Sequence, residues 1–222
     1  MFLMDRFGYA KTIDMAVYER NKEAADSEYK YVFPCMNTGR ICVFTDTGRL
    51  HTIKVLDLPF GKFRDKGVPI DNFSNYSSSE EQLAGIGSME DLKNRKLFFG
   101  TRNGMLKVVD GSEFETNKRT VAATKLGEGD AVLTVEPVDG SEQAVLQSRD
   151  GYFLRFAVSE IPEKKKGAAG VRGMRLGEKD SLEAIYLYHP GTEKTIEYRG
   201  RNLALNRLKA GSRDTKGTKV RS

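Results

Sequence analysis

Hydrophobic and polar positions recur along this chain in one order. A short apolar strand runs into a turn ending in glycine, and a strand of alternating polarity follows it. Alternation with a period of two is typical of strands that bury one face. The five copies occupy residues 2–13, 43–53, 97–108, 144–156 and 184–196. This pattern predicts an antiparallel hairpin in each copy, with the turn glycines Gly8, Gly48, Gly104, Gly151 and Gly191.

The spacing of these turns predicts the architecture. The glycines lie 40, 56, 47 and 40 residues apart, which is typical of blades with a few antiparallel strands each. We therefore predict an all-β, propeller-like fold of about five repeated blade units in a single domain, residues 1–222. The repeat units are roughly 1–36, 37–84, 85–139, 140–180 and 181–222. Asn103-Gly104 and Asp150-Gly151 favour two-residue turns that need positive φ.

Little other regular structure is expected. Residues 22–26 and 89–92 are each predicted to form one or two helical turns, and residues 74–82 an exposed connector. No apolar run approaches the ~20 residues that cross a bilayer. The N-terminus becomes charged too early to be a signal peptide, so a cytoplasmic location is expected.

A basic segment follows most of the predicted hairpins. The four examples are residues 63–67, 117–120, 164–167 and 213–217, and a short apolar strand comes after each. After the first hairpin the corresponding stretch, residues 18–24, carries acids and no glycine. One isolated basic run is usually a solvated surface loop. Four of them at equivalent places in a repeat indicate a structural theme.

The most basic stretch spans residues 163–176, with five cations, three glycines and one acid. Glycine lets a ligand approach the backbone closely, and unpaired cations must face water or a polyanion because burying them is costly. Residues 160–222 contain 15 Lys and Arg against 8 Asp and Glu, whereas residues 1–159 contain 21 against 23. This asymmetry predicts a polyanionic partner.

Candidate catalytic and metal-binding patterns are weak. Cys35, Cys42, His51 and His189 do not have the spacing of a zinc site, and we expect reduced, partly buried cysteines and ordinary strand and loop histidines. The glycines of residues 167–173 lack the helix that a dinucleotide-binding loop requires. Aromatic residues at alternating strand positions are expected to pack in the core rather than stack on bases; they are Tyr9, Phe33, Phe44, Phe98, Phe99, Tyr152, Phe153, Phe156, Tyr186 and Tyr188.

The chain resembles a known family over its whole length. The similar segments are residues 5–14, 59–67, 163–174, 205–209 and 216–220. They resemble the C-terminal domain of the A subunit of bacterial type IIA topoisomerases, gyrase and topoisomerase IV, in a form close to that of Firmicutes. The resemblance implies a β-pinwheel whose blades exchange a strand with a neighbour and whose basic rim binds and bends duplex DNA without reading sequence.

The resemblance also implies partners and cofactors. The domain itself would be non-catalytic and need no cofactor or metal. The parent enzyme would use ATP and Mg, as an assembly of two A and two B subunits in the cytoplasm, at the nucleoid. The candidate DNA-binding residues are Arg64, Lys66, Lys118, Arg119, Lys164, Lys165, Lys166, Arg172, Arg175, Arg207, Lys209, Arg213, Lys216, Lys219 and Arg221.

One departure from the family bears on its type. The A subunits of gyrases carry a first-blade box resembling Gln-Arg-Arg-Gly-Gly-Lys-Gly, which is needed for chiral wrapping. Residues 18–25 stand at that place here, and they lack its glycines and contain Glu19 and Glu23. This favours the topoisomerase IV type. The alternatives are a gyrase domain whose box has moved to residues 164–173, and a propeller-type protein-interaction scaffold.

Overall fold

The computed structural model describes residues 1–221, which form strands, turns and short helices. These residues make two compact units: Met1–Asn94 with Phe114–Ala123, and Arg95–Glu113 with the described chain from Thr124 onward. Four sheets and one separate hairpin contain the strands. Within this part of the chain, no helix is long and apolar enough to cross a membrane. The predicted all-β class is confirmed.

The first unit contains two sheets, each built around a hairpin. Sheet 1 has the order β3-β1-β2, with β6 and β7 both paired to β2. Its strands are β1 (Phe2–Met4), β2 (Tyr9–Ile13), β3 (Tyr31–Phe33), β6 (Phe60–Gly61) and β7 (Val68–Pro69). Sheet 2 has the order β11-β5-β4-β8. Its strands are β4 (Arg40–Thr45), β5 (Arg49–Lys54), β8 (Leu83–Ser88) and β11 (Thr120–Ala122).

The second unit repeats this plan. Sheet 3 has the order β12-β9-β10-β15. Its strands are β9 (Lys96–Thr101), β10 (Met105–Asp110), β12 (Val132–Val138) and β15 (Val171–Arg172). Sheet 4 has the order β16-β13-β14-β19. Its strands are β13 (Gln143–Ser148), β14 (Tyr152–Ala157), β16 (Leu182–Tyr188) and β19 (Thr218–Lys219). A final hairpin joins β17 (Thr195–Tyr198) to β18 (Arg201–Ala204).

Each of the four sheets takes its last strand from the repeat that follows. β7 comes after the hairpin of sheet 2 but pairs with β2 of sheet 1. In the same way β11 pairs back to β5, β15 to β10 and β19 to β14. The short strands predicted after the basic segments are therefore exchanged strands, and the strand exchange implied by the resemblance is confirmed.

The hairpin turns differ in type from the prediction. Gly8, Gly48, Gly104 and Gly151 have positive φ, and each donates its N–H to the carbonyl three residues earlier. Among the described residues other than glycine, only Arg199 and Asp214 have positive φ. The two-residue turns predicted at residues 103–104 and 150–151 are therefore wrong. A turn with one left-handed glycine at its end lets Asn and Asp keep negative φ.

The fifth hairpin was also predicted at the wrong place. Residues 184–188 belong to β16, the outer strand of sheet 4, and Gly191 lies in the connection that follows it. The hairpin turn is at Arg199-Gly200, where both residues have positive φ. The error arose because residues 184–188 are apolar enough to resemble the first strand of a hairpin.

The connections contain three short α-helices: α1 (Met15–Arg20), α2 (Lys22–Glu28) and α3 (Met89–Leu92). The Asp14 carboxylate caps α1 by accepting from the Ala16 N–H at 2.8 Å. The helical turns predicted at residues 22–26 and 89–92 are confirmed. α1 and α2 fill the place after the first hairpin where later repeats have a basic segment and an exchanged strand.

The cores account for most aromatic residues. In the first unit Phe2, Ile41 and Ile53 pack in one hydrophobic cluster. In the second unit Phe98 and Phe156 pack in another. Of the strand aromatics predicted to pack, Tyr9 is 46% exposed and the others are buried or half-buried. Cys35 and Cys42 are free, and burial raises the pKa of Cys42 to about 12.

The predicted exposed connector, residues 74–82, contains a buried acid. Glu81 is 6% exposed and accepts hydrogen bonds from the Thr45 and Thr47 hydroxyls at 2.9 and 2.6 Å. Its other oxygen lies 2.8 Å from Nε2 of His51, which is 1% exposed. His51 is therefore not an ordinary strand-face histidine. The sequence hides this pair because its members are 30 residues apart.

Replacing Glu81 with Gln is expected to lower the free energy of unfolding by about 3 kcal/mol, because one partner of a buried pair is lost. Burial opposes ionisation, but hydrogen bonds from Thr47, His51 and Thr45 lower the pKa of Glu81. The pKa of Glu81 is lower in the folded chain than in the unfolded chain. The stability that its carboxylate contributes is therefore present at neutral pH and is lost as the pH falls below 4.5.

Urea unfolding measures this effect. Glu80→Gln is the matched control, since its neighbour Glu80 is exposed, and it should change stability by less than about 0.5 kcal/mol. Equal losses in both variants would show that the pair contributes nothing of its own.

Candidate nucleic-acid interface

Four equivalent loops precede the exchanged strands. Strand register aligns them, because Val68, Val121, Val171 and Thr218 lie opposite Ala10, Leu50, Leu106 and Phe153. We call the six residues before each of these positions an exchange loop. The first unit has exchange loops 62–67 and 115–120, and the second has exchange loops 165–170 and 212–217. Most of the predicted DNA-binding cations lie in or beside them.

Three of the loops end in a glycine pressed against the neighbouring strand. A Cβ on Gly67 would lie 2.9 Å from the Ala10 carbonyl oxygen, and one on Gly170 would lie 2.7 Å from that of Leu106. Gly217 meets the Phe153 carbonyl in the same way. The sequence pattern ended the third basic segment at Gly167, and the structure corrects this. The glycine that corresponds to Gly67 and Gly217 is Gly170. The fourth loop has Thr120 at this position.

A buried lysine lies beneath one exchange loop in each unit. Lys11 is 1% exposed, and its Nζ donates to the carbonyls of Phe63, Asp65 (2.6 Å) and Lys62 (3.5 Å). Lys107 is also 1% exposed, and its Nζ donates to three carbonyls of the exchange loop 165–170. These belong to Lys165 (3.3 Å), Lys166 (2.8 Å) and Ala168 (2.8 Å).

The two lysine sites have the same hydrogen-bonding geometry. In each, the carbonyls come from the first, second and fourth residues of the exchange loop, and the lysine is the third residue after a turn glycine. An ammonium group has three N–H donors, so three carbonyls use it fully. Aromatic rings complete the surroundings, with Nζ 5.3 Å from the Phe63 ring centre at Lys11 and from that of Phe99 at Lys107.

The other two exchange loops are held differently. At the position of the lysines, His51 bonds through Nδ1 to the Thr120 hydroxyl at 2.8 Å, and Thr52 donates to the Lys118 carbonyl at 2.8 Å. In sheet 4 the equivalent residue is Leu154, which packs against Gly211 and Gly217. There Arg213 donates to the Arg172 carbonyl at 2.8 Å. Of the four exchange loops, two are therefore held by a lysine at the third residue after a turn glycine.

Most of the predicted cations are exposed; Lys164, Lys166 and Arg213 are half-buried. Within residues 1–221, the structure gives no ion pair to Arg64, Lys66, Lys118, Arg119, Lys164, Lys165, Arg207, Lys209, Lys216, Lys219 or Arg221. Lys216 and Lys219 lie over the Tyr152 ring, at 4.5 and 5.4 Å. These side chains remain available to an anionic partner.

Four predicted cations already have partners, and one of them is Arg213, whose guanidinium donates to the Arg172 carbonyl at 2.8 Å and to the Glu160 carbonyl at 3.3 Å. Arg172 pairs with Asp214 through Nε at 2.5 Å and Nη2 at 3.2 Å, and Arg175 Nε lies 3.4 Å from the same carboxylate. The hydrogen bond from Arg172 lowers the pKa of Asp214. Lys166 Nζ donates to the Glu113 carbonyl at 3.2 Å. These partners compete with a bound anion.

Sequence reasoning found the exchange-loop cations but missed Lys11 and Lys107. A lysine in an alternating strand is usually placed on the solvent face. The signal that could have found them is positional, since both follow a turn glycine by three residues.

Comparisons with known proteins agree with this architecture. Residues 95–139 and 142–187 match the family model described as the DNA gyrase C-terminal domain, a β-propeller. The A subunit of DNA gyrase from Lawsonia intracellularis is 30% identical over 196 residues, which is 83% of this chain and 24% of that protein. The corresponding gyrase protein of Escherichia coli K12 is 32% identical over 147 residues, or 65% of this chain and 17% of that protein. The chain spans about a quarter of the length of such relatives.

Solved structures share the fold. The C-terminal domain of a DNA topoisomerase IV matches with a TM-score of 0.84 and 24% identity, covering 98% of this chain and 71% of that one. The E. coli ParC C-terminal domain matches with a TM-score of 0.74 and 20% identity, covering 99% and 93%. From the repeats, the exchanged strands and the sequence matches to the family model and to the gyrase A subunits, the chain belongs to the family of C-terminal domains of the A subunits of bacterial type IIA topoisomerases.

Proposed function

We propose that this chain binds duplex DNA through its phosphates, without reading sequence, and bends it for a type IIA topoisomerase. The observation that carries the proposal is the pair of matching lysine sites under basic exchange loops. A loop whose backbone is already held loses less conformational entropy when its cations meet phosphates. Flexible lysines and arginines of this kind make contacts that position DNA but carry no sequence information.

Bending follows from several contacts distributed along the chain. Each unit presents two exchange loops, so a duplex that reaches more than one loop gains more phosphate contacts than a straight one touching a single loop. Those extra contacts offset the elastic cost of bending, on the order of 1–6 kcal/mol for a short site. Duplex labelled with a fluorophore at each end should show increased energy transfer when the 222-residue chain binds. Binding without any change in end-to-end distance would remove bending from the proposal.

The parent enzyme would supply the chemistry. By family membership we propose an assembly of two A and two B subunits that uses ATP and Mg, with this domain as a non-catalytic part. The competing function is a protein-interaction scaffold that offers the same cations to an acidic protein. Competition separates the two, since unlabelled duplex of any sequence should displace labelled duplex whereas an acidic polypeptide of equal charge should displace it poorly.

We further propose the topoisomerase IV type, because of what occupies the place after the first hairpin. Residues 18–20 end α1 and residues 22–25 begin α2. Lys22 already has partners, with its Nζ 2.6 Å from the Asp26 carboxylate and 3.0 Å from the Tyr18 hydroxyl. The hydrogen bond to Asp26 raises the pKa of Lys22. A helical backbone without glycine, whose Lys22 is already paired, does not offer the open glycines of a gyrase box.

The holoenzyme is therefore expected to relax and decatenate DNA but to supercoil it poorly. The measurement is ATP-dependent supercoiling of relaxed plasmid by the parent A protein with its own B partner, with decatenation as the control for activity. Strong negative supercoiling would contradict the assignment and transfer the role of the box to another loop, with residues 164–173 as the first to test.

A further inference from the structure

Three side chains that the DNA-binding proposal does not use come together in the second unit. Asp139 directly follows β12 of sheet 3, and Glu142 lies at the other end of the turn that leads into β13. His189 directly follows β16 of sheet 4. Glu142 is buried, whereas Asp139 and His189 are exposed. The group joins the ends of strands from two sheets of the same unit.

The donor atoms have the spacing of metal ligands. His189 Nε2 lies 3.1 Å from Asp139 Oδ2 and 3.5 Å from Glu142 Oε1, and the ligand atoms of all three residues lie within 4.8 Å of one another. Zinc bonds of about 2.0–2.2 Å to nitrogen and oxygen in a tetrahedron separate neighbouring ligands by roughly 3.3–3.5 Å. Both distances to the imidazole are close to that separation without any rearrangement.

Backbone hydrogen bonds hold both carboxylates in position. Glu142 Oε1 accepts from the Asp139 N–H at 2.8 Å, and its Oε2 accepts from the Gly140 N–H at 2.9 Å. Asp139 Oδ1 accepts from the N–H and hydroxyl of Ser141, at 2.8 and 2.6 Å, which leaves Oδ2 toward the histidine. Ligands that are oriented by outer hydrogen bonds in this way are typical of metal sites.

We propose that Asp139, Glu142 and His189 bind one divalent transition-metal ion of the zinc class, with a fourth position open to water. A surface ion pair needs the histidine and one carboxylate only. The second carboxylate, buried and turned to the same nitrogen, provides a third ligand. An imidazole in the set favours zinc, nickel or copper over magnesium and calcium. The ion would tie the turn after β12 to the end of β16.

Zinc itself is the probe. The 222-residue chain, freed of metal with a chelator, is titrated with ZnCl2 by calorimetry, and its melting temperature is followed. We expect one equivalent bound, and a melting temperature raised by about 5 °C at a hundredfold excess over Kd. The experiment uses a Cys35→Ser background, because Cys35 is a half-exposed free thiol.

Variants locate the site. His189→Ala and Asp139→Asn should each remove the binding and the thermal shift, whereas Glu178→Gln, an exposed acid in the same unit, should change neither. Cobalt bound in place of zinc should show an absorption spectrum without thiolate bands. Absence of saturable binding, or binding that both ligand variants retain, would overturn the proposal and leave an ordinary ion pair. These outcomes are independent of DNA affinity.

Discussion

Lys107→Met is expected to weaken duplex binding about tenfold, although Lys107 is only 1% exposed and cannot touch DNA from its position. Its removal leaves the carbonyls of Lys165, Lys166 and Ala168 without their donor. The exchange loop 165–170 then has to be ordered when DNA binds. Fixing one residue costs on the order of 1–2 kcal/mol, which corresponds to about tenfold in affinity. Fluorescence anisotropy with a labelled duplex measures the loss.

Two further variants separate position from charge. Lys107→Arg keeps the charge but places a larger planar group under the loop, so it should lose affinity as Lys107→Met does. Lys179→Met removes one exposed lysine of the same unit and should leave affinity nearly unchanged. If Lys107→Arg bound DNA like the parent chain while Lys107→Met did not, charge alone would matter and the positioning role would be wrong.

The same lysine gives binding a pH dependence. Burial lowers the pKa of Lys107 to about 8, against 10.5 when exposed. Between these values the unfolded chain holds a proton that the folded chain has lost, so this group's contribution to stability rises with pH. A neutral amine has only two N–H donors, however, and one loop carbonyl loses its partner. The affinity of the unsubstituted chain for DNA should therefore fall between pH 7 and 9, and the Lys107→Met variant should not show this fall.

Replacing Lys164, Lys165 and Lys166 together with Ala is expected to have the largest effect on DNA binding. Each phosphate contact contributes on the order of 1 kcal/mol, so affinity should drop about a hundredfold for every duplex sequence. The slope of log K against log salt should become shallower by about 2 to 3, since each contact contributes about 0.9. Lys164 and Lys165 should account for most of it, because Lys166 already donates to the Glu113 carbonyl.

The matched control removes three other lysines. Lys125, Lys179 and Lys194 are exposed in the same unit and lie outside the exchange loops. Their replacement with Ala makes the same change in net charge. If both triple variants lost affinity equally, binding would follow net charge alone, and if affinity fell for one sequence only, the loop would be reading bases.

The repeat itself could be predicted from sequence because each hairpin carries its own signals. The alternating strands, the glycines at positions 8, 48, 104 and 151, and the apolar strand after each basic segment are local features. These features were enough to predict the all-β class and the positions of the basic segments that form the exchange loops. Pairing of the exchanged strands followed only from the resemblance, since strand partners lie more than 50 residues apart.

The parts that failed depend on distant contacts. Lys11 and Lys107 look like solvent-facing strand residues, and their partners are loop carbonyls more than 50 residues away, which leave no trace in side-chain pattern. His51 and Glu81 are hidden in the same way. The fifth hairpin was predicted at the wrong residues because the polarity of residues 184–188 matches that of an inner strand. In the structure they form the outer strand of sheet 4.

The affinity of the 222-residue chain for unrelated duplexes of equal length, measured as a function of salt, tests phosphate-led binding most directly. We expect log K to fall linearly with log salt, with a slope of about −4 or steeper, since four or more phosphates are neutralised. Slope and affinity should be the same for every sequence. A slope near zero, or strong preference for one duplex, would contradict phosphate-led binding by the exchange loops.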